Sequence, residues 1–541
     1  MTILNIPRKI FEKEIGKIDE NLKEKINLFG TPIEALDDDK IDIEIFPNRP
    51  DLLSYQNYKN SFLSFIGKKS GLISYKVNKA EKDFIVNIEN SVKDIRPFTA
   101  CAIVKGLKLD NDKIKEIIDI QEKLHLSLGR KRKKAAIGIY PLEKIKLPIK
   151  YEARNPEDIK FQPLEFPNVI NGKQILNKHP AGKEYSHLLE GFDKYPVFID
   201  SNNEILSMPP IINSHNTGKI DENTKDVFIE CSGYNLELLN KILNIIVITF
   251  SEMGGKIYQM KLKYGNKEII TPNLNPIPMK ISIENTNKLL GLNLKESDIK
   301  KLLEKAGYNY SKGNVLTPAW RVDILHEVDL IEDIAISYGY DKFIPEIPKI
   351  STIGKIDRIA ILKEKISELL IGLGLIETSS YHLINKDTIK KIGLSPNDFI
   401  KVNNSKTEYE YLRKDLSSFL LKILSENVDV EYPHEIFQLG RIFDEYNEKE
   451  SLAVSLTPGN FTKVKQILEY LGKNFDIELS VKQTKIFPPY YIEGRVAEVI
   501  FNGKVIGYLG EVHPSILKSL RIKMPVGLFE ISLDEIYKKF E

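Results

Sequence analysis

Apolar and polar positions repeat along this chain with two periods. Residues 41–46, Ile-Asp-Ile-Glu-Ile-Phe, alternate with period two and predict a half-buried strand. Pro47, Asn48, Arg49, Pro50 and Asp51 then form a turn signal, and a helix is predicted over 52–66. A charged helical pattern precedes them at 10–29. Short β-like runs follow at 84–88, 99–104, 135–140, 197–199 and 227–231, with one long apolar-periodic helix at 236–253. The Lys, Asn and Pro-rich stretch 265–278 reads as a linker. Beyond it, 280–283 reads as strand and 284–290 as helix, and Ser297 is the expected N-cap of a helix that presents Ile299, Leu302 and Leu303 on one face and stops at Gly307. Val315, Leu316 and Thr317 form a strand, a third helix starts near Glu327, and this small unit ends near Pro348. A last module opens with a helix at 356–373 and continues with strands separated by helices. The expected fold class is α+β and multidomain, with domains at 1–85, 86–262, 272–349 and 352–541.

Length agrees with several domains, since 541 residues at ~150 per domain make three to four. Lys+Arg 78 against Asp+Glu 76 leaves a formal charge of +2, so any contact with a polyanion must come from a local patch. The densest such patch is 130–134, Arg-Lys-Arg-Lys-Lys, which reads equally well as a phosphate-binding run or a solvated loop. Cys101 and Cys231 are too few for a disulfide scaffold or a thiolate zinc site and fit a reducing, cytoplasmic compartment. The most apolar stretch, 239–250, is broken by Asn240, Lys241 and Asn244, and early charges break the N-terminal apolar run, so neither a membrane span nor a signal peptide is expected.

Several familiar chemistries are excluded by their missing motifs. Gly372-Leu373-Gly374 has no third glycine, and there is no P-loop, His-Glu-x-x-His or Gly-x-Ser-x-Gly. Asp329, Glu332 and Asp333 stand at i, i+3 and i+4, where three like charges need a cation; Mg²⁺ suits such oxygen ligands, with Asp323 a fourth. A solvated acidic helix face explains the same spacing. The loop 206–218 sets Pro209 and Pro210 against Asn213, Ser214 and Thr217 in a stiff arrangement. Alternation at 226–233 puts Phe228, Glu230 and Ser232 on one face, either a pocket wall for a small aromatic ligand with a polar tip or the outer face of an edge strand. His179, His187 and His215 lack metal-ligand spacing and read as structural histidines.

These segments, in order, resemble the phenylalanine–tRNA ligase beta-subunit family in its shorter archaeal and eukaryotic form. The resemblance is carried by residues 44–54, 123–125, 135–138, 179–185, 207–214, 318–324, 329–333, 338–341, 412–413, 435–441 and 507–514, and so covers essentially the whole chain. It implies an N-terminal α/β domain, a mixed α+β editing domain at 86–262, a small winged-helix-like, DNA-binding-type domain, and a C-terminal class II synthetase-like antiparallel sheet with helices that lacks catalytic motifs. Consistent with that loss, Arg441 is followed by Ile442 and Phe443, and no arginine follows Arg521.

The resemblance further implies a heterotetramer of two alpha and two beta subunits, in which alpha uses ATP to charge tRNA(Phe) and beta hydrolyses mischarged Tyr-tRNA(Phe). Asp323, Asp329, Glu332 and Asp333 are the implied Mg²⁺ ligands near alpha. Within that implied editing domain, Glu230, Ser232 and Ser207 are expected to recognise tyrosine, while Asn213, Ser214 and backbone amides orient the ester and the attacking water. An apolar phenylalanine pocket rejects an added hydroxyl poorly, so tyrosine is the expected error. Two rival readings keep part of this picture: a stand-alone hydrolase that clears mischarged tRNA in trans, and an RNA-binding scaffold whose pocket has decayed.

Overall fold

The computed structural model describes residues 2–349, 352–445 and 447–540, which divide into two compact units, Met1–Glu346 and Ile347–Glu541. At the start of the first, Lys40–Ile45 is the centre of a three-stranded sheet, flanked by Thr2–Pro7 and Ile33–Leu36. Both pairings are antiparallel, so this part is α+β rather than the expected α/β. The helix expected at 10–29 is two helices, Arg8–Glu14 and Glu20–Leu28. Gly16 separates them with φ +143°, a backbone geometry that glycine adopts without strain. Asp19 starts the second helix by accepting a hydrogen bond from the Leu22 amide at 2.8 Å. The strand-turn-helix at 40–65 is as expected, with Ser54 capping Tyr55–Phe65.

An eleven-stranded sheet dominates the first unit. Val227–Gly233 lies between Phe98–Lys105 and Ala135–Pro141, antiparallel to both. Every residue of this strand is buried, which excludes the edge-strand alternative. One face, with Ile229 and Cys231, packs on Leu239, Ile242, Ile246 and Phe250 of the helix Leu236–Glu252. Phe228, on the opposite face, joins a second core with Tyr140, Tyr151, Phe198 and Met208. Burial on both sides of one strand is what allows a carboxylate at position 230 to be shut away from water.

The expected linker at 265–278 is instead largely sheet. Lys267–Thr271 turns back at Gly265 (φ +57°) and pairs with Lys256–Tyr264, and Ile277–Lys280 pairs with Asn314–Thr317. A boundary at 262 therefore falls inside a strand, and Val77–Asn78 already pairs with Lys256–Tyr264, ahead of the expected boundary at 85. Pattern reading missed these strands because half of each pair is polar and its partner is contributed by the fold.

Three helices, Ile283–Leu290, Glu296–Lys305 and Glu327–Tyr338, cover the small sheet of Ile277–Lys280, Asn314–Thr317 and Asn309–Ser311 around Ile299, Leu303, Tyr308, Val315 and Ile334. Ser297 lies inside its helix rather than capping it; Asp298 accepts from the Lys295 amide at 3.1 Å instead. In the second unit, the helices Arg358–Gly372 and Phe461–Asn474 pack apolar faces on a seven-stranded sheet at Phe437, Val454, Leu509 and Phe529. That sheet is antiparallel except for its first pair. Among the described residues no helix is long and apolar enough to cross a membrane.

Candidate functional site

A cavity of about 390 Å³ opens in the large sheet of the first unit. Glu230 and Ser207 meet there because their strands turn these side chains to the same side, and Asn213 stands directly opposite Ser207 across the hairpin that Pro209, Pro210 and Ile211 close. Ile211 N–H donates to Met208 O at 2.8 Å and fixes that turn. Apolar wall comes from Pro209, Pro210, Ile211, Ala136, Ile137 and Ile139. Glu230 is paired in register with Gly138, where a Cβ would come within 2.6 Å of Glu230 Oε1. Glycine at that position is what leaves room for the carboxyl group.

The Tyr140 hydroxyl lies 3.2 Å from Glu230 Oε1 and 3.3 Å from Asn213 Oδ1, so its single proton is shared between two acceptors. Glu230 is 2 % exposed, and burial pushes its carboxyl up to about 8, against a pull downward from the Arg96 charge. Near neutral pH it is therefore mostly protonated and able to donate. Among the described residues its Oε2, Ser207 Oγ and His215 Nδ1 make no well-formed hydrogen bond, although Ser232 lies near Glu230 and Ser207 near the Tyr140 hydroxyl. Such groups are costly to leave unpaired, so the cavity has spare hydrogen-bonding capacity among apolar walls.

On another wall, His125 Nδ1 lies 3.1 Å from Glu122 Oε1, while its Nε2 accepts from the Ile137 amide at 2.8 Å. That pair of bonds places the imidazole proton on Nδ1, and burial holds the ring's pKa below its ordinary value. Glu122 is drawn down to about 2, first by the hydrogen bond from His125 and also by Arg132. Arg132 in turn donates to Ile211 O at 2.7 Å and to Glu122 at 3.1 Å, and its guanidinium stacks 4.6 Å from the Tyr185 ring centroid.

Not every expected residue reaches this cavity. Ser232 is fully buried and off the cavity wall; it receives Arg96 at both Oγ (3.2 Å) and its carbonyl oxygen (2.7 Å), and its hydroxyl also helps hold the Glu230 pKa down. Ser214 is buried, its amide bonded to Leu206 O at 2.8 Å, and is likewise off the wall. Tyr140, Gly138, His125, Glu122 and Arg132 were not marked as site residues by sequence. Only the Gly138-x-Tyr140 spacing, which sets a missing and a large polar side chain on one strand face, carried any local signal.

The four carboxylates expected to bind Mg²⁺ do not form one cation site in this chain by itself. Arg321 clamps Asp323 through two bonds of 2.8 and 2.7 Å and reaches Asp333 at 2.8 Å. Asp329 is spent on the helix start, accepting from the Leu325 and His326 amides at 2.7 Å each. Exposed Glu332 accepts from the Tyr340 hydroxyl at 2.8 Å. Among the described residues no group of three or more His, Cys, Asp or Glu is placed to hold a metal ion. Of the three helically spaced carboxylates, Arg321 reaches Asp333 alone.

In the second unit Arg441 is ion-paired with Glu448 (2.8 Å) and Glu450 (3.1 Å) on the adjoining strand. The Glu530 carboxyl group, half-buried in the same sheet, accepts from the Leu416 and Ser417 amides and from the Ser417 and Ser451 hydroxyls.

Three family models match the chain: the B3/4 domain over 100–243, the tRNA synthetase B5 domain over 279–340, and the phenylalanyl tRNA synthetase beta chain CLM domain over 344–533. Similar curated proteins include the phenylalanine–tRNA ligase beta subunits of Pyrococcus abyssi, 38 % identical over 91 % of this chain and 90 % of that one, and of Archaeoglobus fulgidus, 34 % identical over 97 % of both. Among solved structures, an N-terminal fragment of the Pyrococcus horikoshii phenylalanyl-tRNA synthetase beta subunit matches with TM-score 0.59 and 36 % identity, covering 62 % of this chain and 99 % of the fragment.

Proposed function

Since the chain belongs to the phenylalanine–tRNA ligase beta-subunit family, we propose that it is the non-synthetic half of a complex with alpha subunits, and that its Glu230 cavity hydrolyses tyrosine mischarged onto tRNA(Phe). The observation that carries the editing role is Glu230 itself: a buried, protonated carboxyl with spare hydrogen-bonding capacity, beside the hydroxyl of Ser207, at a cavity with apolar walls. A tyrosine ring fits between Pro209, Ile211 and Ile139, and its phenol oxygen accepts from Glu230 while its proton goes to Ser207. Phenylalanine would leave both groups unpaired, at a cost of roughly 1–3 kcal/mol for each buried polar group. Correctly charged tRNA is thereby spared.

Hydrolysis adds water to the ester carbonyl carbon, after which the bond to the terminal ribose oxygen breaks, freeing tyrosine and restoring the ribose hydroxyl. Asn213 and His215, both on the cavity wall, are the groups available to orient that water, His215 through its unpartnered Nδ1. Synthesis, with its ATP, is assigned to alpha. Support for assembly comes from apolar residues that the second unit leaves in water: Ile353, Ile356, Ile371 and Ile376 are 93, 71, 55 and 65 % exposed.

The test is Glu230→Ala assembled with alpha. Tyr-tRNA(Phe) deacylation should fall at least tenfold while phenylalanine charging is retained; deacylation at the parental rate would remove the assignment. Size-exclusion chromatography with and without alpha separates a complex-bound subunit from a solitary trans-acting hydrolase.

A further inference from the structure

The basic run at 130–134 is attached to this cavity. Arg132 and Ala136 both line it, and the four other basic residues are their immediate neighbours along the chain. Arg130, Lys131, Lys133 and Lys134 are exposed, and among the described residues none of these four side chains has an ion pair or a hydrogen bond. Arg132 alone turns inward, tying the run to the Ile211 turn and to Glu122.

The backbone of this run is held in an uncommon shape. Arg130, Lys131 and Arg132 have φ of +46°, +52° and +63°, three consecutive residues in the left-handed region that side chains disfavour. Hydrogen bonds from Arg132 N to His125 O (3.2 Å) and from Lys134 N to Gly129 O (2.8 Å) keep it there. Gly129 leaves no room for a Cβ, which would lie 2.6 Å from Ala135 O. A merely solvated loop has no need of such a conformation, and strained backbone maintained by its surroundings is concentrated at binding sites. The result is four unpaired cations displayed beside a cavity whose proposed substrate is an ester at the end of a nucleic acid.

We propose that Arg130, Lys131, Lys133 and Lys134 form a phosphate-binding lip that receives the single-stranded 3′ end of RNA and feeds it into the Glu230 cavity. Only a free single strand can bring a terminal ester into a recess of this size, and a single strand carries one phosphate per nucleotide past the rim. This inference rests on the editing role for its biological meaning, but its binding component is separately measurable.

The full chain is titrated with an uncharged RNA hairpin that ends in single-stranded CCA, by fluorescence anisotropy from about 50 to 300 mM salt. Arg130→Gln/Lys131→Gln/Lys133→Gln/Lys134→Gln should bind roughly tenfold or more weakly at the low-salt end, with the slope of log affinity against log salt shallower by roughly 2 to 3, at ~0.7 per phosphate contact on a single strand. Lys280→Gln/Lys288→Gln/Lys301→Gln/Lys312→Gln, which removes four exposed lysines from the small helical domain, controls for net charge. An unchanged slope in the quadruple variant, or an equal loss in the control, overturns the lip. In complex with alpha, the quadruple variant should raise KM for Tyr-tRNA and keep kcat. If the parental complex deacylates nothing, the editing role fails, while the salt slope still decides the lip.

Discussion

Glu230 stands directly opposite Gly138 in neighbouring antiparallel strands, and the side chain that Gly138 lacks is the space in which the Glu230 carboxyl sits. Adding a methyl group there collides with the Tyr140 hydroxyl and with Glu230 Oε1. Gly138→Ala should destabilise the chain by about 1–3 kcal/mol, as overpacking of a filled interior does. In a Glu230→Ala background part of that cost should vanish, giving a coupling of about 0.5–3 kcal/mol in a double-mutant cycle followed by denaturant unfolding. Additive effects would show that the two positions do not share the space.

The same carboxyl makes stability depend on pH in a direction opposite to a salt-bridged acid. Its folded pKa of about 8 lies above the ordinary 4.5, so the folded state holds the proton more tightly than the unfolded one. The resulting stabilisation is complete below pH 4.5 and is lost as pH rises through about 8. Denaturation midpoints measured between pH 5 and about 8.5 should therefore fall more steeply for the parent than for Glu230→Gln. Parallel curves would refute the protonated form.

Arg321 neutralises two carboxylates at once, half-buried Asp323 and buried Asp333. Arg321→Met leaves them unpaired and facing each other's charge, and should cost about 3–5 kcal/mol by chemical denaturation. Adding Asp333→Asn should recover part of the loss; a variant as stable as the parent would show that the ion pairs contribute nothing.

Because Arg321 already pairs with two of the four carboxylates, Asp323 and Asp333, adding Mg²⁺ or EDTA should leave the unfolding midpoint of the chain alone unchanged. A genuine site would stabilise by about 2.7 kcal/mol at a hundredfold excess over its dissociation constant. A midpoint that climbs with Mg²⁺ would mean that the carboxylates rearrange around the ion.

Much of the candidate site was legible before any coordinates, though its mechanism was not. Alternation at 226–233 put Glu230 beside Phe228 on one strand face, and the stiff proline loop drew attention to Asn213, Ser214 and Thr217, of which Asn213 lines the cavity. Ser232 belongs to the same strand but ends under Arg96, a residue 136 positions away whose partner no local pattern could name. Asp329, Glu332 and Asp333 do lie at helical spacing, yet the charge that relieves Asp333 comes from Arg321, outside the helix.

Local periodicity by itself determined most of the longer helices and strands, because backbone geometry turns side chains with period 3.6 or 2 and burial selects the apolar ones, but it did not reach the half-polar strands at 267–271 and 277–280. It also carried, through motifs in order, the family to which the chain belongs. Tertiary structure alone decided which strand neighbours which, and hence that Glu230 meets Gly138 and Tyr140, some 90 residues earlier, in a buried recess. Desolvation depends on every surrounding atom, so the proton on Glu230 and the pocket it serves come into being only when those distant segments are packed together.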